Sequence, residues 1–476
     1  MLSAALILRL YRIDEYLTFL GDEGRDVRIV RDLLRGNFVF IGPQTSIGNM
    51  YLGPLYYYLM APALFLSRLN HVGPAVMIAV LTVITIFITW KLTRVWFDKL
   101  SAFFALLLYS LSPVAIIYGR SSWNPNPMPL FSILTIYFTY LALIRKKFKY
   151  LILTAICLAS ALQMHYLGLL LIPVVLFWIV RLYLVNKKNQ ESLMELRIYI
   201  LKSFFVFFAL MSPLLLFDLK HDFANSKAVI QFFSDRQTTV NLNPGNSNRF
   251  FPVVKQITSD LLLGQQTNPV LFISIILLFA SLVLPIYYLS SLPFWFLYSW
   301  ILIGVLGLSL YKQHVYAHYF GFLYPAIFIF AGLVLSLLFR SKIIPKILGL
   351  VLLIIYIYSS VKFSPLVYPP NRQLQRTRSA VDLIISESNG QPFNFGLIAK
   401  QNYDESYRYF FENNNSQLVR GENGITDQLF VICEDGDKCQ PEGNPAWQIA
   451  IFGPSKIDKQ YQIDYLKIYR LVHTKG

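Results

Sequence analysis

The sequence predicts a polytopic helical membrane protein that ends in a small soluble α/β domain. Three observations carry this expectation. Apolar residues make up 55% of the 476-residue chain and charged residues only 14%, where a soluble protein carries about 25% charge. Apolar runs long enough to cross a bilayer core, about 17–25 residues, recur between positions 51 and 363. Beyond that point the runs stop, and charged and amide residues return. Segments in hydrocarbon are helical because a helix satisfies its own backbone donors and acceptors. A transmembrane barrel is excluded, since its strands alternate apolar and polar residues over about ten positions and the run 270–284 does not.

The apolar segments lie at 51–69, 74–90, 100–118, 128–144, 149–164, 166–185, 198–217, 269–289, 293–310, 319–339 and 343–363. Ahead of them only the stretch 1–8 is apolar, before Arg9, Arg12 and Asp14. That is too short to span and lacks the three-part pattern of a signal peptide, so it is expected to be the end of a truncated first helix. If every segment crossed, Lys91, Arg94 and Lys99 would lie outside, as would Arg145, Lys146, Lys147 and Lys149. Basic residues in short loops belong on the cytoplasmic side. The conflict vanishes if 51–69 does not cross. Gly53-Pro54 at its start and Pro62 within it suit a broken or interfacial helix. About eleven spans result, counting the truncated first one.

The charge bias then sorts the loops. Arg181, Lys187 and Lys188, and Arg340, Lys342 and Lys346, join the cytoplasmic side. The outer side collects the first loop 10–73 with its juxtamembrane helices, loop 119–127, the His165-Tyr166 turn, the long loop 218–268, loop 311–318 and the tail. The membrane domain is expected over 1–363 and the extracytoplasmic α/β domain over 364–476. In the tail a helix is expected at 372–386 and strands at 395–399, 428–433, 448–452 and 463–472, from alternation and β-branched content.

The formal net charge of +16 sits in short clusters between apolar runs, where membrane anchors belong, which argues against a nucleic-acid partner. Cys157 lies inside an apolar run and reads as a small hydrophobe. Cys433 and Cys439 flank an acidic turn; no neighbouring Cys or His completes a zinc site, and a local disulfide in an oxidising compartment is the expectation.

Polar residues that interrupt the pattern are the candidates for chemistry. In Gly21-Asp22-Glu23-Gly24-Arg25-Asp26 two adjacent carboxylates suit general-base work or a metal, against the plainer reading of solvated loop acids. Arginines 25, 28, 31 and 35 then follow at steps of three and four, along one face of a helix. Such a row binds phosphates, or lays the helix on anionic lipid. In loop 119–127, Trp123 offers a stacking face and Asn124 and Asn126 offer amides, unless the prolines there merely stiffen a turn. His165 and Tyr166 sit between two apolar runs, where a histidine is costly. Lys220 and His221 leave a span beside Asp218 and Asp222, and Lys312, His314 and His318 crowd one short loop.

Taken with Met50-Tyr51-Leu52-Gly53-Pro54-Leu55, this arrangement resembles the GT-C glycosyltransferases. The likeness is to the glycosyltransferase 39 branch, which includes protein O-mannosyltransferases and the aminoarabinose transferase acting on lipid A. An acidic pair after the first helix, an arginine-bearing helix and a Pro-Leu element opening a non-spanning helix carry it. Leu8-Arg9-Leu10-Tyr11-Arg12 is similar to the end of that family's first helix, and Tyr324-Pro325 after the histidine loop also matches. The resemblance covers roughly 1–340. It implies a sugar donor on polyprenyl phosphate, with Asp22 as base or orienter of the acceptor, and Glu23 as the second acid. It implies displacement of polyprenyl phosphate at the anomeric carbon by a hexosyl- or pentosyltransferase, usually with inversion. Cations for the leaving phosphate would come from Arg25, Arg28, Arg120, Lys220, Arg236, Arg249 and Lys312, with His314 or His318 nearby.

The chain departs from the family in loop 119–127, where an acidic residue is often found and this sequence has Asn124 and Asn126. An amide hydrogen-bonds a sugar hydroxyl but is no base. Either Asp22 works alone or the acceptor differs. Oligosaccharyltransferases of the superfamily use a divalent metal, and Asp22, Glu23 and Asp26 could form part of such a site. The 39 branch generally does not, so no obligatory cofactor is expected. The acceptor stays open among protein, lipid and glycan. A lipid-linked sugar transporter would want polar residues in mid-span and internal repeats, and neither is seen. A non-catalytic scaffold or sensor related to the family remains the other alternative.

Overall fold

The structure, a computed structural model, is described for residues 1–45, 50–234, 249–311, 314–434 and 439–474. Two compact units make up the chain. A helical unit comprises Met1–Tyr11, Phe38–Ala63 and Pro74–Pro369, and a mixed unit comprises Arg12–Asn37, Leu64–Gly73 and Pro370–Gly476. The segment Arg12–Asn37, read from sequence as part of a membrane-domain loop, therefore packs with the tail.

Among the described residues, eight helices are long and apolar enough to cross a membrane: Val72–Trp96, Met128–Arg145, Tyr166–Asn186, Gln190–Lys220, Pro269–Tyr287, Leu292–Ser309, Ala317–Arg340 and Ile343–Lys362. Three apolar helices are shorter, Leu55–Leu66, Lys99–Leu111 and Tyr150–Met164. The second of these starts on Asp98, which accepts from the N–H groups of Leu100 (2.8 Å) and Ser101 (3.0 Å). It breaks where Pro113 cannot donate, and resumes as Pro113–Tyr118. The segment 51–69 yields only the 12-residue helix Leu55–Leu66, with Pro62 inside. Gly53 is needed just before it, because a Cβ there would stand 2.3 Å from the Gln163 Oε1. That same Oε1 accepts from the Leu55 N–H at 3.2 Å.

Contacts sort the helix ends into two groups. At one end, Arg340 pairs with Asp98 (2.6 Å) and Phe97 meets Tyr288 (6.1 Å). There too Ala142, Phe148, Leu151, Leu182, Leu193 and Leu196 form one apolar cluster. At the other, Trp123 meets His318 (4.5 Å), His165 meets His318 (5.8 Å) and Arg249 donates to the Tyr311 carbonyl (2.6 Å). The helix ends thus fall into two groups that alternate along the chain. Two buried arginines fasten the first helix, Leu2–Leu10. Arg9 donates to the carbonyls of Ala5 (3.0 Å), Ser110 (3.3 Å) and Ala115 (3.2 Å), and Arg120 to those of Leu8 (3.3 Å) and Tyr11 (2.6 Å). The carbonyls at the end of Lys99–Leu111 carry the negative pole of that helix, which offsets a buried cation.

In the mixed unit four strands, β1 (Asn394–Ile398), β2 (Gln428–Cys433), β3 (Ser455–Ile463) and β4 (Leu466–His473), take the order β1-β2-β4-β3. Only β1 and β2 run parallel. β2 is buried along its whole length, which is why it reads as an unbroken apolar run. The helix expected at 372–386 is found as Gln373–Glu387, and Cys433 and Cys439 form a disulfide. One expectation for the tail is corrected, and a second, found as β4, is refined in its bounds. The strand expected at 448–452 is a helical turn, Trp447–Ala450, closed by the Ile449 N–H on the Ala446 carbonyl (2.8 Å) between Pro445 and Gly453-Pro454. The strand expected at 463–472 is the second arm of a hairpin turning at Asp464, with φ 57°.

The alternation makes a direct prediction. Cysteines placed at exposed Lys146 and Asp222 should react with a membrane-impermeant maleimide from opposite sides of the membrane. Labelling of both from one side would refute the alternation.

Candidate functional site

The predicted acidic motif opens the helix Gly21–Leu34 in the mixed unit. The two carboxylates have different tasks there. Glu23 is buried and turns back to accept from the Leu20 N–H at 3.0 Å, closing the first turn of its own helix. Asp22 stays 40% exposed, and its Oδ1 accepts from Arg25 Nη1 (2.9 Å) and from the Tyr403 hydroxyl (2.7 Å). Two donors on one oxygen fix the rotamer and leave Oδ2 for another proton donor. Gly24 lets the helix meet the helix Glu405–Asn413 backbone to backbone, since a Cβ there would lie 2.3 Å from the Ser406 nitrogen.

That close approach brings acids to the arginine row. Arg28 pairs with Glu405 and with Glu412 (3.0 Å); Arg31 pairs with Glu412 (2.7 Å) and Asp32 (3.0 Å); Arg25 pairs with the buried Asp26 (2.8 Å). The row expected to bind phosphate is thus met by carboxylates within its own unit. Only Arg35, 61% exposed and 3.7 Å from Asp32, reaches well into solvent. No single sequence window shows this, because Glu405 and Glu412 lie nearly four hundred residues away.

Burial pushes the Glu23 carboxyl up to about 8, with the Leu20 N–H opposing and Asp22 adding to the rise. For Glu412 burial also acts upward, but the Arg31 and Arg28 guanidiniums outweigh it and hold the group down at about 2. The signs are opposite. Stability tied to Glu23 is fully present below its unfolded value of 4.5 and lost as pH climbs through 8. Stability tied to Glu412 is present above 4.5 and lost as pH falls toward 2. Glu23→Gln keeps the acceptor for Leu20 and should flatten the fall in melting temperature between pH 5 and 8; an unchanged slope would refute the buried acid. Glu412→Gln takes from Arg28, Arg31 and Arg420 the carboxylate they share and leaves Arg31 on Asp32 and Asn413, and should cost roughly 1–2 kcal/mol in chemical unfolding at pH 7. A loss below a few tenths would refute the lattice.

In the helical unit three predicted residues converge. His318 lies 4.5 Å from Trp123, 5.8 Å from His165 and 6.1 Å from Tyr118, ring centre to ring centre. Tyr316 stacks against the same imidazole and Tyr319 meets it edge-on. His165 Nδ1 accepts from the Leu167 N–H (3.2 Å), which leaves Nε2 to carry the ring proton. Burial lowers its basicity to about 4, so it is neutral at pH 7. His314 sits exposed at the rim, edge-on to Tyr316 at 4.7 Å. A small cavity adjoins this cluster, lined by Thr85, Tyr118, Asn126, His318 and Tyr324 among others.

Other candidates have structural duties. Arg120 is buried on the Leu8 and Tyr11 carbonyls and presents no charge to a surface phosphate. Asn124 donates to the Met164 carbonyl (2.8 Å) and pins loop 119–127 to the end of the helix Tyr150–Met164. The Tyr166 hydroxyl bonds the Tyr51 carbonyl and Asn225 Nδ2 (3.0 Å). His221 stacks on Phe217 (4.1 Å), and Lys220 is exposed at the end of Gln190–Lys220. Arg249 is spent on the Tyr311 carbonyl. Lys312 and Arg236 lie outside the described residues. One acid was missed from sequence: Asp260, on a π-helical turn, Thr258–Leu263, inside what reads as loop. Among the described residues no group of three or more His, Cys, Asp or Glu is arranged to hold a metal ion.

Residues 52–217 match the sequence model of the dolichyl-phosphate-mannose-protein mannosyltransferases. The whole chain is similar in structure to ArnT from Cupriavidus metallidurans bound to undecaprenyl phosphate, with TM-score 0.61, 12% identity, and coverage of 98% of this chain and 96% of that one. The chain has the GT-C fold. It is accordingly a multi-pass membrane protein. A second GT-C structure, the archaeal oligosaccharyltransferase AglB from Archaeoglobus fulgidus in complex with an inhibitory peptide and a dolichol-phosphate, aligns with TM-score 0.52 at 13% identity, over 91% of this chain and 68% of that one. No curated protein matches the chain by sequence.

Proposed function

We propose that this protein transfers a sugar from a polyprenyl-phosphate-linked donor to an acceptor on the extracytoplasmic side, with Asp22 as the base. The observation that carries this reading is the state of Asp22: of the two carboxylates in the motif, it is the one left accessible and held in a fixed rotamer by Arg25 and Tyr403. In the reaction, the acceptor's proton passes to Asp22 as the acceptor oxygen or nitrogen bonds to the anomeric carbon. The bond from that carbon to the phosphate oxygen breaks, and polyprenyl phosphate leaves with the electron pair.

Three further features support the reading. The helical unit holds an apolar cleft among helices Phe250–Ile257, Pro269–Tyr287, Leu292–Ser309 and Tyr324–Arg340. Its lining, which includes Val254, Leu277, Leu302 and Phe330, suits part of a prenyl chain. The similar structures were solved with undecaprenyl phosphate and with a dolichol-phosphate. The disulfide Cys433–Cys439 fits a tail domain in an oxidising compartment. The non-catalytic reading draws on one observation, that carboxylates already occupy Arg25 and Arg28.

Transfer of labelled sugar from polyprenyl phosphate donors to a membrane and periplasm-type extract separates the two. Asp22→Asn should lower transfer by about 10²–10⁴-fold, the usual worth of a general base, while the melting temperature holds. Full transfer by that variant would remove Asp22 from the mechanism.

A further inference from the structure

Two glycines bracket the acidic pair, and the tail accounts for both. A Cβ on Gly24 would strike the Ser406 backbone, and one on Gly21 would stand 2.4 Å from Cδ1 of Tyr403, whose ring covers it. The stretch 402–406 is thus packed onto the first turn of the helix Gly21–Leu34. The first N–H groups of a helix have no partner inside it. Here the residue at the cap position is Leu20, whose side chain has no oxygen to offer. Asn402 supplies the acceptor instead. Its Oδ1 takes the Gly21 N–H at 2.8 Å and the Tyr403 N–H at 2.9 Å. One oxygen therefore fixes both the start of the helix and the residue that reaches Asp22.

The contact with Asp22 is a closed set of three side chains. The Tyr403 hydroxyl accepts from Arg25 Nη1 at 3.2 Å and donates to Asp22 Oδ1 at 2.7 Å. Arg25 Nη1 also donates to that Oδ1, at 2.9 Å. The Asn402 amide is oriented in its turn. Its Nδ2 donates to Glu434 Oε1 at 2.8 Å, and the buried Tyr407 donates its hydroxyl to the same oxygen at 2.7 Å. A carboxylate only accepts, so it selects the nitrogen side of the amide and turns Oδ1 toward Gly21. Glu434 follows Cys433, the last residue of β2, and its N–H is held by the carbonyl of Ile398, the last residue of β1, at 3.0 Å. The hydrogen bonds run unbroken from the end of the sheet through Glu434 and Asn402 to the start of the helix and to Asp22.

We propose that Asn402, Tyr403 and Glu434 are positioning residues for Asp22, so that the tail domain sets the aim of the base. The inference rests on the transferase reading and deepens it. Tyr403 holds Oδ1 directly, while Asn402 and Glu434 act through the helix start and through Tyr403. A base works when its open oxygen lies within hydrogen-bond reach of the acceptor's proton, and a misplacement of about 1 Å costs on the order of a hundredfold.

Hydrogen exchange, read by mass spectrometry with fragmentation on the full chain in lipid nanodiscs, tests the clamp without turnover. Asn402→Ala and Glu434→Ala should each speed exchange at the Gly21 amide about tenfold. Glu434→Gln keeps an acceptor oxygen and should hold the wild-type rate. Wild-type exchange in both alanine variants overturns the inference. Transfer of labelled sugar then reads the consequence. Tyr403→Phe keeps the ring over Gly21 and removes only the hydroxyl; it and Asn402→Ala should each lower kcat about tenfold while KM for the donor stays constant, and Glu434→Gln should retain most of what Glu434→Ala loses. In an Asp22→Asn background Tyr403→Phe should lower the residual rate no further, because its effect runs through that carboxylate. Wild-type kcat in both Tyr403→Phe and Asn402→Ala, beside a large loss in Asp22→Asn, sinks the positioning role alone. Full transfer by Asp22→Asn sinks instead the reading on which it rests.

Discussion

Hydrocarbon solvates neither a peptide group nor a charge, and the helical unit follows from that single constraint. Each span must close its own hydrogen bonds, so the spans are helices, and polar side chains gather where helices end. The threonines within spans obey the same rule, as Thr85, Thr89 and Thr93 each return their hydroxyl to a carbonyl one turn back. What cannot be satisfied inside a helix is exported to one of two ends. One end gathers Asp98, Arg340 and the basic loops, and the other gathers the histidines, Trp123 and Asp260. An aromatic and imidazole cluster thus needs no strand scaffold. It needs loops short enough that Trp123, His165 and His318, from three different helix connections, meet within about one ring's width.

The mixed unit solves another problem. A helix with arginines on one face and glycines beside them is weakly held until something neutralises the row. Glu405 and Glu412 do so from a second helix, and Gly24 permits the close approach that makes the pairing geometrically tight. The same packing divides the acidic motif into two roles. Burial forces Glu23 to serve its own helix, while Asp22, one residue earlier and turned the other way, keeps a free oxygen. Adjacent carboxylates that look equivalent in sequence are made unequal by 100° of helix rotation.

Much of the helical unit was legible, because span length and loop charge are local properties. Even the shortness of the helix within 51–69 is foreshadowed by Gly53-Pro54 and Pro62. Partners were not legible. The row at Arg25, Arg28 and Arg31 announced a need for negative charge without saying that the tail supplies it. Arg120 looked like a surface cation, and only its burial on the Leu8 and Tyr11 carbonyls shows a fastening. The segment 448–452 had strand-like composition but no neighbouring strand with which to pair. Asp260 stands in Ile257-Thr258-Ser259-Asp260-Leu261, where a lone acid in an apolar run gives no periodic signal; its π turn is a tertiary outcome.

The environments of Asp22 and Asp260 show how one chemical group is fitted to two tasks. Asp22 is solvated and carries a guanidinium and a phenol on a single oxygen, so its other oxygen is aimed and available. Asp260 is mostly buried beside tyrosines, and burial makes its charge costly. A costly charge is a strong acceptor once a donor arrives, because the hydrogen bond then forms where water does not compete. Ser112 ties the π turn to the helix that leads into loop 119–127, capping that helix with its oxygen and holding the turn with its hydroxyl proton.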